Sequence, residues 1–239
     1  MIHHPAQVEC LRPREIFERV RQSPVAWIPL GALEWHGWHA PIGLDGHTAH
    51  RICLKSSEVA GGVVFPPFFS GMTGSIASHP WTILERDEKV LEGWLETQLL
   101  RLEELGVKST VIVSGHFALY QVESLRKVMK WWESKPRVMI LKAVTVADFP
   151  NLKNFIVSGP DHGGLFETSL MKELCPEMID LEELGSEKGD FRHETSNGIQ
   201  RRDPSHPLFG VMGEDPRKMD DKKASELVKE MIKWLVGLV

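Results

Sequence analysis

The chain has 239 residues, enough for one large domain with a substantial core, and its 42% hydrophobic and 26% charged residues are ordinary for a globular protein. A formal net charge of −5 argues against a dedicated nucleic-acid binder, which needs a basic face. Cys10, Cys53 and Cys175 are isolated and outline neither a disulfide framework nor a Cys-x-x-Cys zinc pair. The first residues carry no signal-like apolar segment and no run approaches membrane-spanning length, so a cytoplasmic protein without membrane contact is expected.

In chain order, the apolar run Val25–Leu30 predicts a buried strand, followed by a helix over Thr48–Val59. Val63–Phe69 reads as a second strand, near an edge or ending early because Pro66 and Pro67 lack an amide proton. Glu88–Leu105 has helical spacing, with Leu91, Trp94, Leu95, Leu99 and Leu102 on one stripe, and Gly106 stops it. Thr110–Val113 predicts a strand, Val122–Trp132 a helix, Arg137–Leu141 a strand and Phe155–Val157 a further short strand. Leu165–Leu174 and Ala224–Val239 read as helices. No repeat, low-complexity tract or linker divides the sequence, so a single domain over residues 1–239 is expected. Strands alternating with helices point to an α/β fold with a mostly parallel sheet. The polar stretch Gly185–Pro216 is too long for an ordinary connector and reads as a lid or an oligomer contact.

The chemistry concentrates where apolar strands end. Leu30-Gly-Ala-Leu-Glu-Trp-His-Gly-Trp-His-Ala-Pro-Ile-Gly-Leu-Asp45 leaves the first strand and carries Glu34, His36 and Asp45 within one glycine- and proline-punctuated segment. Loops at such strand ends are where α/β proteins build their sites. Mixed nitrogen and oxygen donors suit zinc or manganese, and a carboxylate such as Asp45 can bridge two ions. Each residue alone has an ordinary alternative: a core histidine, a solvated glutamate, an aspartate in a turn.

Three later segments add to the pattern. Val111-Ile-Val-Ser-Gly-His116 delivers His116 to a strand end. Asp161-His-Gly-Gly-Leu-Phe-Glu-Thr-Ser169 places Asp161 and His162 before a helix whose first turns carry Glu167, well placed for proton transfer. Ser78-His-Pro-Trp-Thr-Ile83 could line a substrate pocket, with Trp35, Trp38, Trp81 and Phe117 as aromatic walls or as core. His3 and His4 read as tail residues, His193 and His206 as loop decoration, and His47 and His50 as structural or supporting groups.

These motifs resemble the creatininase (creatinine amidohydrolase) family. The resemblance rests on Pro29 to Asp45, Ser114-Gly-His116, Asp161 to Ser169 and Gly210-Val-Met-Gly-Glu-Asp-Pro216, in the family's order. It implies a three-layer α/β/α fold, two divalent ions of zinc or manganese, a homo-oligomer (commonly a hexamer) and hydrolysis of amide bonds in small or cyclic substrates. Carried over by position, Glu34, His36, Asp45 and His116 match metal ligands, with Asp45 as the bridge. His162 matches a catalytic histidine, and Asp161 falls where creatinine-hydrolysing members carry a glutamate.

The departures matter as well. Creatininase has a ligand glutamate two residues after the histidine matched by His116, and here that position is Ala118. Where many other members have a Gly-Gly-Asn run, this chain reads Phe117-Ala-Leu-Tyr120. Glu167 is therefore the choice for the missing carboxylate, and a substrate other than creatinine is expected. The expected chemistry is attack of a metal-activated water on a carbonyl, with His162, oriented by Asp161, passing a proton to the leaving group. Two alternatives are a hydrolase that opens a carbon–carbon bond of a cyclic ketone or polyol-derived diketone, such as one from an inositol, and a non-catalytic metal-binding scaffold.

Overall fold

A computed structural model describes residues 4–73, 79–185 and 202–239. Val25–Gly31 (β1) is buried along its whole length and is the strand on which the others are laid. On one side it pairs in parallel with Ser109–Ser114 (β4), from Val25 opposite Ser109 to Leu30 opposite Ser114. β4 in turn pairs in parallel with Ile140–Thr145 (β5). On its other side β1 meets two short parallel strands, Val63–Val64 (β2) and Phe68–Phe69 (β3). The single second strand expected from the sequence is thus two pieces, because Pro66 and Pro67 cannot donate to the ladder. The sheet order β2-β1-β4-β5 is all parallel.

Side chains alternate across this sheet, and each face has its own core. Val25, Trp27, Val111 and Val113 face one layer, built from Leu44–Ala60 (α2), Leu165–Leu174 (α5) and Asp221–Val236 (α6). Ala26, Ile28, Leu30 and Ile112 face the other, where Glu88–Glu104 (α3) and Leu119–Glu133 (α4) supply Leu91, Leu95, Leu99, Leu125 and Val128. The fold is α/β with three layers.

Several elements differ from the sequence expectation, each for a local reason. A helix over Pro13–Gln22 (α1) was not expected; proline in its first turn and Glu15, whose carboxylate accepts the Arg12 amide proton, mark its start. α2 begins at Leu44 rather than Thr48, so Asp45 lies in the helix's first turn instead of the loop before it. The last strand runs over Ile140–Thr145 rather than Arg137–Leu141, since the Val138 and Met139 amides donate to the Glu103 carboxylate and are withdrawn from the ladder. Phe155–Val157 is not a strand; it follows a 3₁₀ turn at Leu152–Asn154. No helix among the described residues is long and apolar enough to cross a membrane.

Candidate metal centre

β1 and β4 run parallel, so their C-terminal ends, Leu30 and Ser114, lie side by side. Between them sits the first turn of α2. The approach is close: a Cβ on Gly31 would lie 2.1 Å from the Gly46 amide nitrogen, and one on Gly115 would lie 2.1 Å from the Asp45 carbonyl oxygen. Only glycine at both positions lets Asp45 settle between the two strand ends. The loop carrying Glu34 and His36 is closed by the Glu34 amide donating to the Ile42 carbonyl at 2.8 Å.

The result is a buried cluster. Glu34, His36, Asp45, His116 and Glu167 are each 4% exposed or less. Asp45 divides its two oxygens: Oδ1 lies 3.0 Å from His36 Nε2, and Oδ2 lies 3.2 Å from His116 Nδ1. Glu34 Oε2 approaches His116 Nδ1 at 2.9 Å, and Glu167 Oε2 approaches His36 Nε2 at 3.5 Å. Two ligand groups follow, Glu34–Asp45–His116 and His36–Asp45–Glu167, and Asp45 belongs to both. A third combination, Glu34–His36–His162, overlaps them.

Each histidine is oriented by a backbone carbonyl. The Nδ1 of His36 bonds to the Glu34 carbonyl at 2.8 Å, the Nε2 of His116 to the Met72 carbonyl at 2.9 Å, and the Nε2 of His162 to the Trp35 carbonyl at 2.6 Å. A carbonyl can only accept, so the bonded nitrogen carries the proton and the other nitrogen of each ring is turned toward the carboxylates. The Met72 peptide is itself held, because its amide donates to Gln121 Oε1. Gln121 also donates to the Ser114 hydroxyl, which donates to the His116 carbonyl.

The donor set can be tested against a pair of cations. Glu34 Oε2, His36 Nε2 and both carboxylate oxygens of Asp45 are buried and make no hydrogen bond, and they belong to the two groups that share Asp45. Buried polar atoms without partners are costly, and negative oxygens crowded beside lone-pair nitrogens are costlier still. Divalent cations would satisfy all of them, and mixed imidazole and carboxylate donors are what zinc and manganese accept. The residues fit the group.

Protonation tells the same story. Burial opposes a charge on His36, yet Asp45 and Glu167 beside it raise its pKa to about 10. His116 is raised against the same burial by Asp45 and Glu34. Asp45 is held down by His36 and His116 despite complete burial, and Glu34 is held down chiefly by His116. Glu167 goes the other way, pushed well up by burial. Without cations, protons do the work of charge balance in this cluster.

His162 lies beside the cluster, its Nδ1 4.0 Å from Glu167 Oε2 and its ring 4.3 Å from that of His36. Burial, with His36 second, lowers its pKa to about 4. Asp161 does not orient it. The Asp161 carboxylate accepts the Phe166 amide at 2.8 Å and the Glu167 amide at 3.2 Å, capping the start of α5, and the Trp35 carbonyl sets the imidazole instead. Burial raises Asp161 to about 7, against those amide bonds. The sequence pairing of Asp161 with His162 is corrected on that geometry.

Ala118 stands at the N-cap of α4 and offers no ligand atom. Of the aromatic candidates, Trp35 is buried and its indole donates to the Phe209 carbonyl, while Trp38 and Trp81 are 50% and 78% exposed. Thr82 accepts the Trp35 amide, which attaches the 79–83 loop to the site; Ser78 lies outside the described residues. Residues 186–201 of the expected lid, including His193, also lie outside them, as does His3. The later part of that stretch rests on the site: Met212 and His162 exchange two backbone hydrogen bonds of 2.8 and 2.9 Å. His206 caps its own turn by accepting the Leu208 amide, and His47 packs edge-on against Phe69. Sequence reasoning missed the carbonyls of Trp35 and Met72, which carry no side-chain signal, and missed Gln121 and His39, which only tertiary contacts disclose.

Residues 10–239 match the family model Creatininase, described as creatinine amidohydrolase. A creatinine amidohydrolase of Pseudomonas putida is 28% identical over 177 residues, covering 66% of this chain and 67% of its own. A solved creatinine amidohydrolase (creatininase) has a TM-score of 0.73 at 24% identity, with 97% of this chain and 95% of that chain covered. A mutant creatininase of Zn-Zn type has a TM-score of 0.73, and a creatininase with manganese 0.71. Both are 21% identical, with 97% of this chain and 96% of theirs covered. At these identities the structural likeness speaks for the fold.

Proposed function

The chain belongs to the creatininase family, and from that premise we propose that it is a hydrolase dependent on two divalent ions, zinc or manganese, that opens a small cyclic amide other than creatinine. The observation that carries this reading is the divided carboxylate of Asp45, with one oxygen turned to His36 and Glu167 and the other to His116 and Glu34. Zn-Zn and manganese forms of solved creatininases support the choice of metals.

Glu34, Asp45 and His116 would hold one ion, and His36, Asp45 and Glu167 the other. When bound, such ions would lower the pKa of a water toward about 7 and polarise a carbonyl oxygen. The chain's own groups do the rest. Glu167 replaces the carboxylate that Ala118 cannot supply, which supports a substrate other than creatinine. His162 begins neutral, with its Nε2 proton held by the Trp35 carbonyl, so Nδ1 is the atom that exchanges protons. At Nδ1 it takes the proton lost by the attacking water and passes it to the ring nitrogen released as the amide C–N bond breaks. Trp35 is buried beside Phe209, ring centroids 5.6 Å apart and tilted, with its indole N–H on the Phe209 carbonyl, which fixes the loop whose carbonyl holds His162. Neither carbon–carbon ring opening nor a catalytically silent scaffold has an observation that favours it.

The test is a panel of cyclic amides, creatinine included, incubated with zinc- or manganese-loaded protein and followed by release of a titratable amine or carboxylate. Hydrolysis of another member of the panel, abolished by a chelator and restored by metal, is expected. Turnover that survives complete metal removal would overturn the reading, and preferred hydrolysis of creatinine would overturn its substrate part.

A further inference from the structure

His39 lies three residues beyond His36, is 2% exposed, and touches none of the ligand atoms described above. Its Nε2 is 2.8 Å from the Thr168 hydroxyl, a buried contact linking the loop after β1 to α5 across 129 residues of sequence. The Thr168 hydroxyl has one proton, and it donates it to the Gly163 carbonyl at 3.3 Å. It must therefore accept from His39, so His39 carries its proton on Nε2.

The chain of contacts continues to a ligand. The Gly163 amide donates to Glu167 Oε2 at 2.6 Å, the same oxygen that faces His36. Gly163 has φ of +60°, and a Cβ there would lie 2.4 Å from the His36 carbonyl oxygen, so this residue is pressed against the other ligand of the same group. Consecutive side chains of α5, Glu167 and Thr168, thus grip Gly163 at its amide and its carbonyl. His39 holds the second of those grips, and the Asp180 amide anchors His39 through its own carbonyl at 3.0 Å. None of these contacts reaches His116, which is braced separately by Met72, Gln121 and Ser114.

We propose that His39 is a positioning residue for one ion only: through Thr168 and Gly163 it sets the Glu167 carboxylate, and so the affinity of the His36–Asp45–Glu167 group, while leaving the Glu34–Asp45–His116 group untouched. The proposal rests on the two-ion reading above. Groups that orient metal ligands typically change metal affinity by about 10–100-fold when removed.

The experiment is zinc titration of the full chain against a competing chelator, which resolves the affinity of each of two ions without reference to turnover. In His39→Ala one affinity should fall by about 10–100-fold and the other should hold. Thr168→Val, which keeps the volume and removes the hydroxyl, should do the same. His39→Gln, which restores a side-chain N–H donor, should recover most of the loss. In a Glu167→Ala background His39→Ala should cost nothing more, whereas in a His116→Ala background it should keep its full effect. Two unchanged affinities in His39→Ala, equal weakening of both, or failure of His39→Gln to recover would overturn the proposal while the two-ion reading stands. Wild-type protein that takes up fewer than two ions would instead bring down that reading, and this proposal with it.

Discussion

In the proposed reaction Asp45 holds cations and His162 moves protons, and their surroundings differ accordingly. Asp45 is completely enclosed between the ends of β1 and β4, and each of its oxygens serves a different histidine. His162 shares no close ion pair with it and keeps only Nδ1 for the site. Replacing His162 with Ala should therefore leave the bound metal in place and lower kcat by about 10²–10⁴-fold. Metal analysis and kinetics on the same preparation check this. Loss of metal in that variant would make His162 a ligand in the Glu34–His36–His162 combination rather than a proton carrier.

The start of α5 shows how a helix terminus can mimic a catalytic motif. Asp161 precedes the helix and sits next to His162 in sequence, which invites pairing the two. Its carboxylate instead satisfies two of the amides that every helix leaves unpaired at its start. Asp161→Ala should then cost about 0.5–2 kcal/mol of stability in urea unfolding, with Asp161→Asn, which keeps an acceptor oxygen, costing less. Unchanged stability would contradict the capping role. Much of the architecture was legible beforehand: the fully buried β1 and β4 are short apolar runs, and the Leu91–Leu102 stripe of α3 has helical spacing. Glu34, His36 and His116 were likewise legible as polar groups following apolar strands, Asp45 as part of the same motif, and Glu167 only through the departure at Ala118. Illegible were features decided by contacts distant in sequence. Glu103 draws Val138 and Met139 out of β5, the carbonyl of Trp35 orients His162, and His39 meets Thr168.

The molecule brings five buried ionisable side chains, Glu34, His36, Asp45, His116 and Glu167, to one end of a parallel sheet, and their charges must be balanced in every state. In the metal-free protein that balance falls to protons. The folded pKa of His36 is raised from 6.5 to about 10 by Asp45 and Glu167 against burial, so its contribution to stability is complete below about pH 6.5 and disappears as pH rises through about 10. His116, raised in the same way, acts in the same direction. Thermal melts in chelator should show Tm falling between pH 6.5 and 10, whereas ion-loaded protein, in which cations replace those protons, should resist the fall. A metal-free Tm that stays level or rises across that window would contradict this balance. The most direct measurement of the whole account is elemental analysis of the purified, metal-equilibrated chain. Close to two zinc or manganese ions per chain are expected in wild type, with loss of both in Asp45→Ala, because both groups share that carboxylate. One ion or none in wild type, or two ions retained without Asp45, would contradict it.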